Sequence, residues 1–370
     1  MSGGPHKSFS PQPAGSSAPI GQSGGNNARS KGRTAMADRP GGSAGGVGPG
    51  HTADLIAKIK ETADKLASDQ TSRGDLKILS RVLQELRYAF KVFAPYRSCR
   101  KVTVFGSART PPHEPAYGQA VEFGRAMADE GWLVVTGASS GIMEAGHVGA
   151  GREHSMGLNI MLPFEHAANS VIAGDDKLVY MKYFFTRKLM FVKESHAICL
   201  LPGGFGTLDE GLEVLTLLQT GKRDMVPVVM LDEPGGDYWC EFERFVEKNL
   251  LARGMLDRAD LSLYKRTDDV GEAVAEILQF FRVYHSMRYV RGTLVLRLNH
   301  PLAPGLLDRI NAEFADVLAS GRFTQGGPLP DEKDEPDLAH LPRLLFDFNR
   351  QDHGRLRQLI DCVNRASEEG

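Results

Sequence analysis

The sequence predicts an α/β protein: a parallel sheet with helices on both faces, preceded by a helical arm and followed by a small α+β unit. Three observations carry this. Short apolar runs alternate with amphipathic stretches through residues 101–283. The runs are continuously apolar rather than alternating, as strands buried on both faces require. Each is followed by a stretch long enough for a helix, the arrangement that a βαβ crossover needs. Of the 370 residues, 41% are hydrophobic and 24% charged, enough to bury one large core or two ordinary ones.

Residues 1–50 fall outside this pattern. Gly, Ser and Pro dominate, and Phe9 is the sole aromatic. So little apolar area cannot offset the ordering entropy, and the segment is expected to be a disordered tail. Residues 51–97 read as a helical arm. Leu55, Ile56, Ile59, Ala63 and Leu66 recur at helical steps. After Gly74 a second stripe follows, with Leu83, Leu86, Phe90 and Phe93, and Pro95 ends it. That stripe is large for an exposed face and is expected to help join a homo-oligomer, at least a dimer.

Within residues 98–284 the predicted strands are Val102–Phe105, Trp132–Thr136, Leu158–Leu162, Ala197–Leu201 and Val226–Leu231. The predicted helices are Ala116–Glu130, Ile142–Glu153, Phe184–Glu194, Thr207–Thr220 and Tyr238–Leu251, and Leu261–Lys265 with Asp268–Phe281 repeats the unit. This is a Rossmann-like, doubly wound sheet, and such sheets bind ligands at the carboxyl ends of their strands. Residues 285–370 read as a β-α-β-α unit: a strand at Val290–Leu298, a helix at Pro304–Ala319, an acidic loop over 321–340, a strand at Leu344–Phe348 and a helix at Arg355–Val363.

Several functional classes are excluded at this level. The net charge of −2 argues against a dedicated nucleic-acid binder. No apolar run reaches the length of a membrane span, and no signal segment precedes the arm, so a cytoplasmic protein is expected. Cys99, Cys199, Cys240 and Cys362 are far apart and form no CxxC pair, which predicts free thiols and neither zinc nor disulfides. No metal or cofactor is expected.

The chemistry is concentrated at Leu200–Glu210, LLPGGFGTLDE. A strand runs into Gly203, Gly204, Phe205 and Gly206, and a helix starts near Thr207. Glycines there let backbone N–H groups approach a ligand, and the helix N-terminus suits a phosphate. At Gly204 a β-branched side chain such as valine is expected to block the approach to those N–H groups and destroy phosphate binding. Gly106 and Ser107 follow the first strand and are expected to join the same phosphate site. The turn Gly137–Gly141, leading to Glu144, has neither G-x-G-x-x-G spacing nor a Walker lysine, which argues against NAD and ATP. Glu210 lies one turn into the helix. Thr207 with Glu210 would also suit a capping box, a role that needs no glycines. Arg187 and Lys188 precede the strand that delivers the loop.

These residues resemble the LOG family of nucleoside 5′-monophosphate phosphoribohydrolases, long misnamed lysine decarboxylases. Pro202-Gly203-Gly204-x-Gly206-Thr207-x-x-Glu210 matches its PGGxGTxxE signature, and Arg187-Lys188 stands fifteen residues ahead, as the family's pair does. The strings at Gly106–Arg109, Gly141–Glu144 and Leu162–Glu165 look like the longer bacterial branch. The resemblance spans roughly residues 100–283. It implies hydrolysis of an N-glycosidic bond, giving free base and ribose 5-phosphate from AMP-like or cytokinin riboside 5′-monophosphates. Glu210 and Arg187 would be catalytic and Lys188 an electrostatic helper. Gly137, Gly141, Glu144, Glu165 and Asn169 would be contacts to ribose or base. The alternative is a non-catalytic carrier of a nucleotide or of molybdenum cofactor, which the loops alone would serve equally well.

Overall fold

The computed structural model describes residues 52–162 and 167–366; the tail expected over 1–50 lies outside them. Two compact units meet in sequence between Asp69 and Gln70. The first holds helix α1, Ala53–Ser68, which buries no residue and leaves Leu55, Ile56 and Ile59 about half exposed.

The second unit opens with α2, Arg73–Phe93. Ser72 caps it by accepting the Asp75 amide at 3.1 Å, and Pro95 falls in the 3₁₀ turn Ala94–Tyr96 that follows it. Its apolar stripe splits. Ala89 and Phe93 enter the core, while Leu83 is 56% and Phe90 39% exposed. Between them Glu85 is buried. It accepts hydrogen bonds from the Lys182 amide and the Thr186 hydroxyl, each at 2.8 Å, and pairs with Arg81 at 2.8 Å. Burial would raise its pKa, but these bonds outweigh it and hold the carboxylate ionised. The helix is thereby fixed to the segment that carries Arg187.

The main sheet has strands β1 Lys101–Phe105, β2 Leu133–Thr136, β3 Ser155–Ile160, β4 Leu178–Met181, β5 Ala197–Leu200, β6 Val228–Leu231 and β7 Lys265–Thr267. All pair in parallel, in the order β4-β3-β2-β1-β5-β6-β7. Helices α3 Pro115–Asp129, α4 Ile142–His154, α5 Phe184–Glu194, α6 Phe205–Gln219 and α7 Tyr238–Phe245 lie between them in sequence, and α8 Val270–Phe280 follows β7. Successive residues of each strand serve opposite faces. Val102, Val104 and Val134 pack with α3, α4 and α8, while Phe105, Leu133 and Val135 join the larger core on the other side. The strand order reverses between β1 and β5, the crevice where doubly wound sheets bind ligands.

The C-terminal unit differs from the sequence pattern. It contains β8 Tyr284–Val290, β9 Thr293–Leu298, α9 Pro304–Glu313, β10 Leu318–Gly326, β11 Arg343–Phe348 and α10 His353–Arg365. The strands form an antiparallel sheet in the order β10-β11-β9-β8. The single strand expected at Val290–Leu298 is the second arm of a hairpin whose turn, Arg291-Gly292, has both residues at positive φ. The helix expected to reach Ala319 stops at Glu313, and the start of the expected acidic loop is strand β10. That edge strand is mostly exposed, so it lacks an apolar signature.

Candidate functional site

A cavity of about 710 Å³ opens at the switch point, a volume suited to a small-molecule ligand. Its first wall is the loop after β5. Gly204 precedes α6, whose first residues Phe205, Gly206 and Thr207 line the cavity. The Gly204 carbonyl accepts the amides of Thr207 and Leu208 at 3.0 and 3.2 Å. The amides of Phe205 and Gly206, first in the helix, have no intrahelical acceptor. The close packing within the protein falls on Gly203, one residue before Gly204. A Cβ on Gly204 meets nothing within 4 Å, whereas one on Gly203 would lie 2.2 Å from Thr207 Oγ1 and 2.9 Å from the Ser107 nitrogen. Gly203 lies behind the lining, where its carbonyl accepts the Tyr238 hydroxyl at 2.5 Å.

The loops after β1 and β2 form the second wall and are laced to the first. Gly106 and Ser107 line the cavity. The Ser107 amide, however, donates to the Pro202 carbonyl at 3.1 Å, so only its hydroxyl remains for a ligand. The Ser107 carbonyl accepts the Ile142 amide at 3.0 Å. Gly141, at φ +66°, lets this approach occur, since a Cβ there would stand 2.3 Å from the Ser107 oxygen. Gly137 lines the cavity and Gly141 does not.

Asn169 is a buried prop, not a lining residue. Its amide donates to the Ala138 carbonyl at 2.9 Å and its side chain to the Ser139 carbonyl at 3.1 Å. It also meets His147, a buried imidazole whose pKa burial pushes down to about 4. Asn159 donates to the Gly137 carbonyl at 3.3 Å and does reach the cavity. Glu144 stays outside the lining, near Tyr117; burial first, then Glu144, raises that phenol's pKa. Glu165 lies outside the described residues.

The third wall is α5. Arg187 and Glu210 both line the cavity, with side chains 13% and 5% exposed and Arg187 Nη2 4.0 Å from Glu210 Oε1. Arg187 Nε is buried without a hydrogen-bond partner among the described residues. Its guanidinium lies 4.9 Å from the Phe184 ring centroid and 5.7 Å from that of Phe191. Lys188 sits behind the pair. It contacts Asp209 at 2.7 Å, Glu213 at 3.1 Å and Glu210 at 3.6 Å. Burial pulls the Lys188 pKa down, but these carboxylates outweigh it and hold it up. One ammonium shared by three carboxylates cannot fully compensate Glu210. Burial therefore raises the Glu210 pKa against Lys188 and Arg187, and Asp209 and Glu213 add to the rise. Burial also lowers the Arg187 pKa.

The arrangement offers an anchor for an anion, a carboxylate of raised basicity and a cation with an unmet donor. No group of three or more His, Cys, Asp or Glu side chains placed to hold a metal occurs among the described residues. Sequence reasoning missed Arg109, Met143, Asn159 and Phe184 as lining residues. Arg109 and Met143 were visible in the Gly106–Arg109 and Gly141–Glu144 strings; Asn159 and Phe184 carry no local signal.

Residues 136–277 match the family model described as "Possible lysine decarboxylase". A cytokinin riboside 5′-monophosphate phosphoribohydrolase of Mycobacterium tuberculosis is 31% identical over 133 residues, 35% of this chain and 68% of the relative. The chain belongs to this family, the LOG family. Another LOG-family relative, the rice (Oryza sativa subsp. japonica) protein named probable cytokinin riboside 5′-monophosphate phosphoribohydrolase LOG4, is 27% identical over 49% of this chain and 77% of its own. Among solved structures, the Moco carrier protein of Chlamydomonas reinhardtii is 22% identical and covers 49% of this chain and 96% of its own, with a TM-score of 0.34.

Proposed function

We propose that this LOG-family protein hydrolyses the N-glycosidic bond of nucleoside 5′-monophosphates, of the AMP or cytokinin riboside type, to free base and ribose 5-phosphate. The observation that carries this reading is Arg187 and Glu210, buried 4.0 Å apart beside a glycine-lined helix N-terminus. A carrier needs the helix N-terminus; it does not need a buried carboxylate of raised pKa beside a cation with an unmet donor.

The chemistry follows from the charges. As the base departs, positive charge builds on the ribose, as in glycoside hydrolysis. Glu210 stabilises that charge and takes a proton from the attacking water. Its raised pKa makes it a better base than an exposed carboxylate. Arg187 holds the ribose hydroxyls and the carboxylate in register. The Phe205 and Gly206 amides, with the Thr207 hydroxyl, hold the 5′-phosphate, an anchor remote from the reacting bond. The water supplies hydroxide to the ribose carbon and a proton, by way of Glu210, to the leaving base.

The test is a panel of nucleoside 5′-monophosphates with the matching nucleosides as phosphate-free controls. Base release from the monophosphates, at least tenfold faster than from nucleosides, is the expected result. Equal rates for AMP and adenosine would overturn the phosphate anchor.

We also propose a homo-oligomer in the cytoplasm, with the uncovered half of α2, Leu79, Leu83 and Phe90, in the contact. Analytical ultracentrifugation of Leu83→Asp checks it: the variant should lose mass relative to the unmutated protein. A monomeric unmutated protein at micromolar concentration would end the proposal. No helix among the described residues is long and apolar enough to cross a membrane.

A further inference from the structure

A second cationic cluster lies at the opposite, amino-terminal edge of the main sheet. Register aligns the starts of three strands there: Val102 beside Ala197, and Ile198 beside Val228. Arg100 precedes β1, His196 precedes β5 and Arg223 lies just ahead of β6. His285, the second residue of β8, approaches from the C-terminal sheet. The charges of Arg100, Arg223, Lys101 and His285 all act on His196.

The donors of this cluster are incompletely used. Arg223 Nη2 donates to the Ser195 carbonyl at 2.5 Å, while Nη1 is buried without a partner. The Arg100 guanidinium lies 3.6 Å from the Phe281 ring centroid. Neither arginine has a carboxylate within ion-pair distance among the described residues. Other carboxylates of the region are paired: Glu194 with Lys101 at 3.6 Å, and Glu332 with Arg297 at 3.0 Å and Arg343 at 3.1 Å. Glu335 pairs with Arg297 and Arg288. Asp224 acts on Arg223 only through space. His196 Nδ1 accepts the Lys101 amide at 3.1 Å, which puts the ring proton on Nε2. Burial, reinforced by the surrounding cations, pushes the His196 pKa down to about 3, so the ring is a neutral donor at physiological pH. Burial pushes Arg100 and Arg223 down to about 10, and both remain charged.

A buried guanidinium nitrogen left without a partner is costly. The Arg223 donor, with the Arg100 guanidinium and a spare imidazole N–H in the same cluster, matches an oxyanion with several acceptor oxygens, not a single carboxylate. We propose that this edge binds the phosphoryl group of a small free anion, with Arg100 and Arg223 as charged donors and the His196 Nε2–H as a neutral one. The site is separate from the cavity of the glycine loops and does not depend on what that cavity does.

The test is calorimetric titration of the full chain with inorganic pyrophosphate and, separately, ribose 5-phosphate. The proposal predicts one more binding event in the unmutated protein than in the double variant Arg100→Gln/Arg223→Gln, and about tenfold or greater weakening of that event in each single variant. If the glycine-loop cavity also binds phosphate, the counts are two and one; if it does not, they are one and zero. The two readings therefore fail separately. Preference for pyrophosphate over ribose 5-phosphate would identify an inorganic ligand, and the reverse a phosphate ester; binding of neither at this edge overturns the proposal. Should the double variant fail to fold, crystals of the unmutated chain soaked in tungstate serve instead. An anomalous peak between Arg100 and Arg223 is expected, and its absence overturns the assignment.

Discussion

The two edges of the main sheet both hold partly buried arginine, and they compensate it differently. At the carboxyl edge Arg187 lies 4.0 Å from Glu210, and Lys188 behind them is shared by three carboxylates. At the amino edge Arg100 and Arg223 have no carboxylate within ion-pair distance among the described residues, and Asp224 acts on Arg223 only through space. A cation beside a carboxylate of raised pKa suits proton transfer at a fixed substrate. Cations with an unmet donor and no carboxylate base suit holding an anion without changing it. The difference lies in the carboxylate, so the variants that remove or retune Glu210 test it most sharply.

The largest expected effect is that of Glu210→Gln. The swap keeps shape and removes the base, so base release should fall about a hundredfold or more while the dissociation constant for AMP barely changes. Steady-state rates with equilibrium binding measure both. Turnover near that of the unmutated protein would erase the distinction between the edges.

Next comes a pair of glycine variants that separate the anchor from its neighbour. Gly203→Ala forces a Cβ against Thr207 and the Ser107 nitrogen. It should cost about 1–3 kcal/mol of stability and weaken AMP binding. Gly204→Ala enters open space at φ −84° and should change stability by less than about 0.5 kcal/mol. Denaturant melts of both proteins measure the contrast, and equal losses would refute it.

How far this could be read from sequence depends on burial. The strands from β1 to β6, except β4, were legible because both faces are buried and apolar residues dominate; β3, with Ser155 and Asn159 inside it, was placed three residues late. The four-residue β4 was missed: its exposed Tyr180 leaves too short an apolar run to stand out. The first arm of the C-terminal hairpin, β8, was missed, and the Arg291-Gly292 turn, which carries no Pro, Asn or Asp, was read into the second arm. At the site, Gly203, Thr207 and Glu210 declared themselves by spacing. Their supports did not. Glu85 acts on α5 from about a hundred positions earlier in the chain, and Asn169 props a loop thirty residues away. Such roles arise from tertiary contact and leave no local pattern.

A smaller effect concerns pH. Glu210 must be ionised to act as a base, so kcat/KM should rise with pH through a value above the ordinary 4.5. Lys188 favours the ionised form, so Lys188→Met should move that limb to still higher pH. Arg187 opposes the shift, while Asp209 and Glu213, released from Lys188, add to it. A pH–rate profile that moves down or stays fixed would show that Lys188 does not act on Glu210.

The smallest effect is on stability. A carboxyl whose folded pKa is raised stabilises the fold below its unfolded pKa, and this is lost as pH rises through the folded value. Glu210→Gln, which cannot ionise, should therefore melt above the unmutated protein at pH 7. The gap should close below pH 4.5, and a gap that persists there would point to packing, not charge.

The central claim is that the carboxyl edge cleaves the N-glycosidic bond. Its most direct test is to incubate the pure protein with AMP and quantify adenine and ribose 5-phosphate together. Equimolar formation of both by the unmutated protein, absent with Glu210→Gln, is the result predicted. Tight retention of intact AMP with no release of adenine would contradict the claim and identify a carrier.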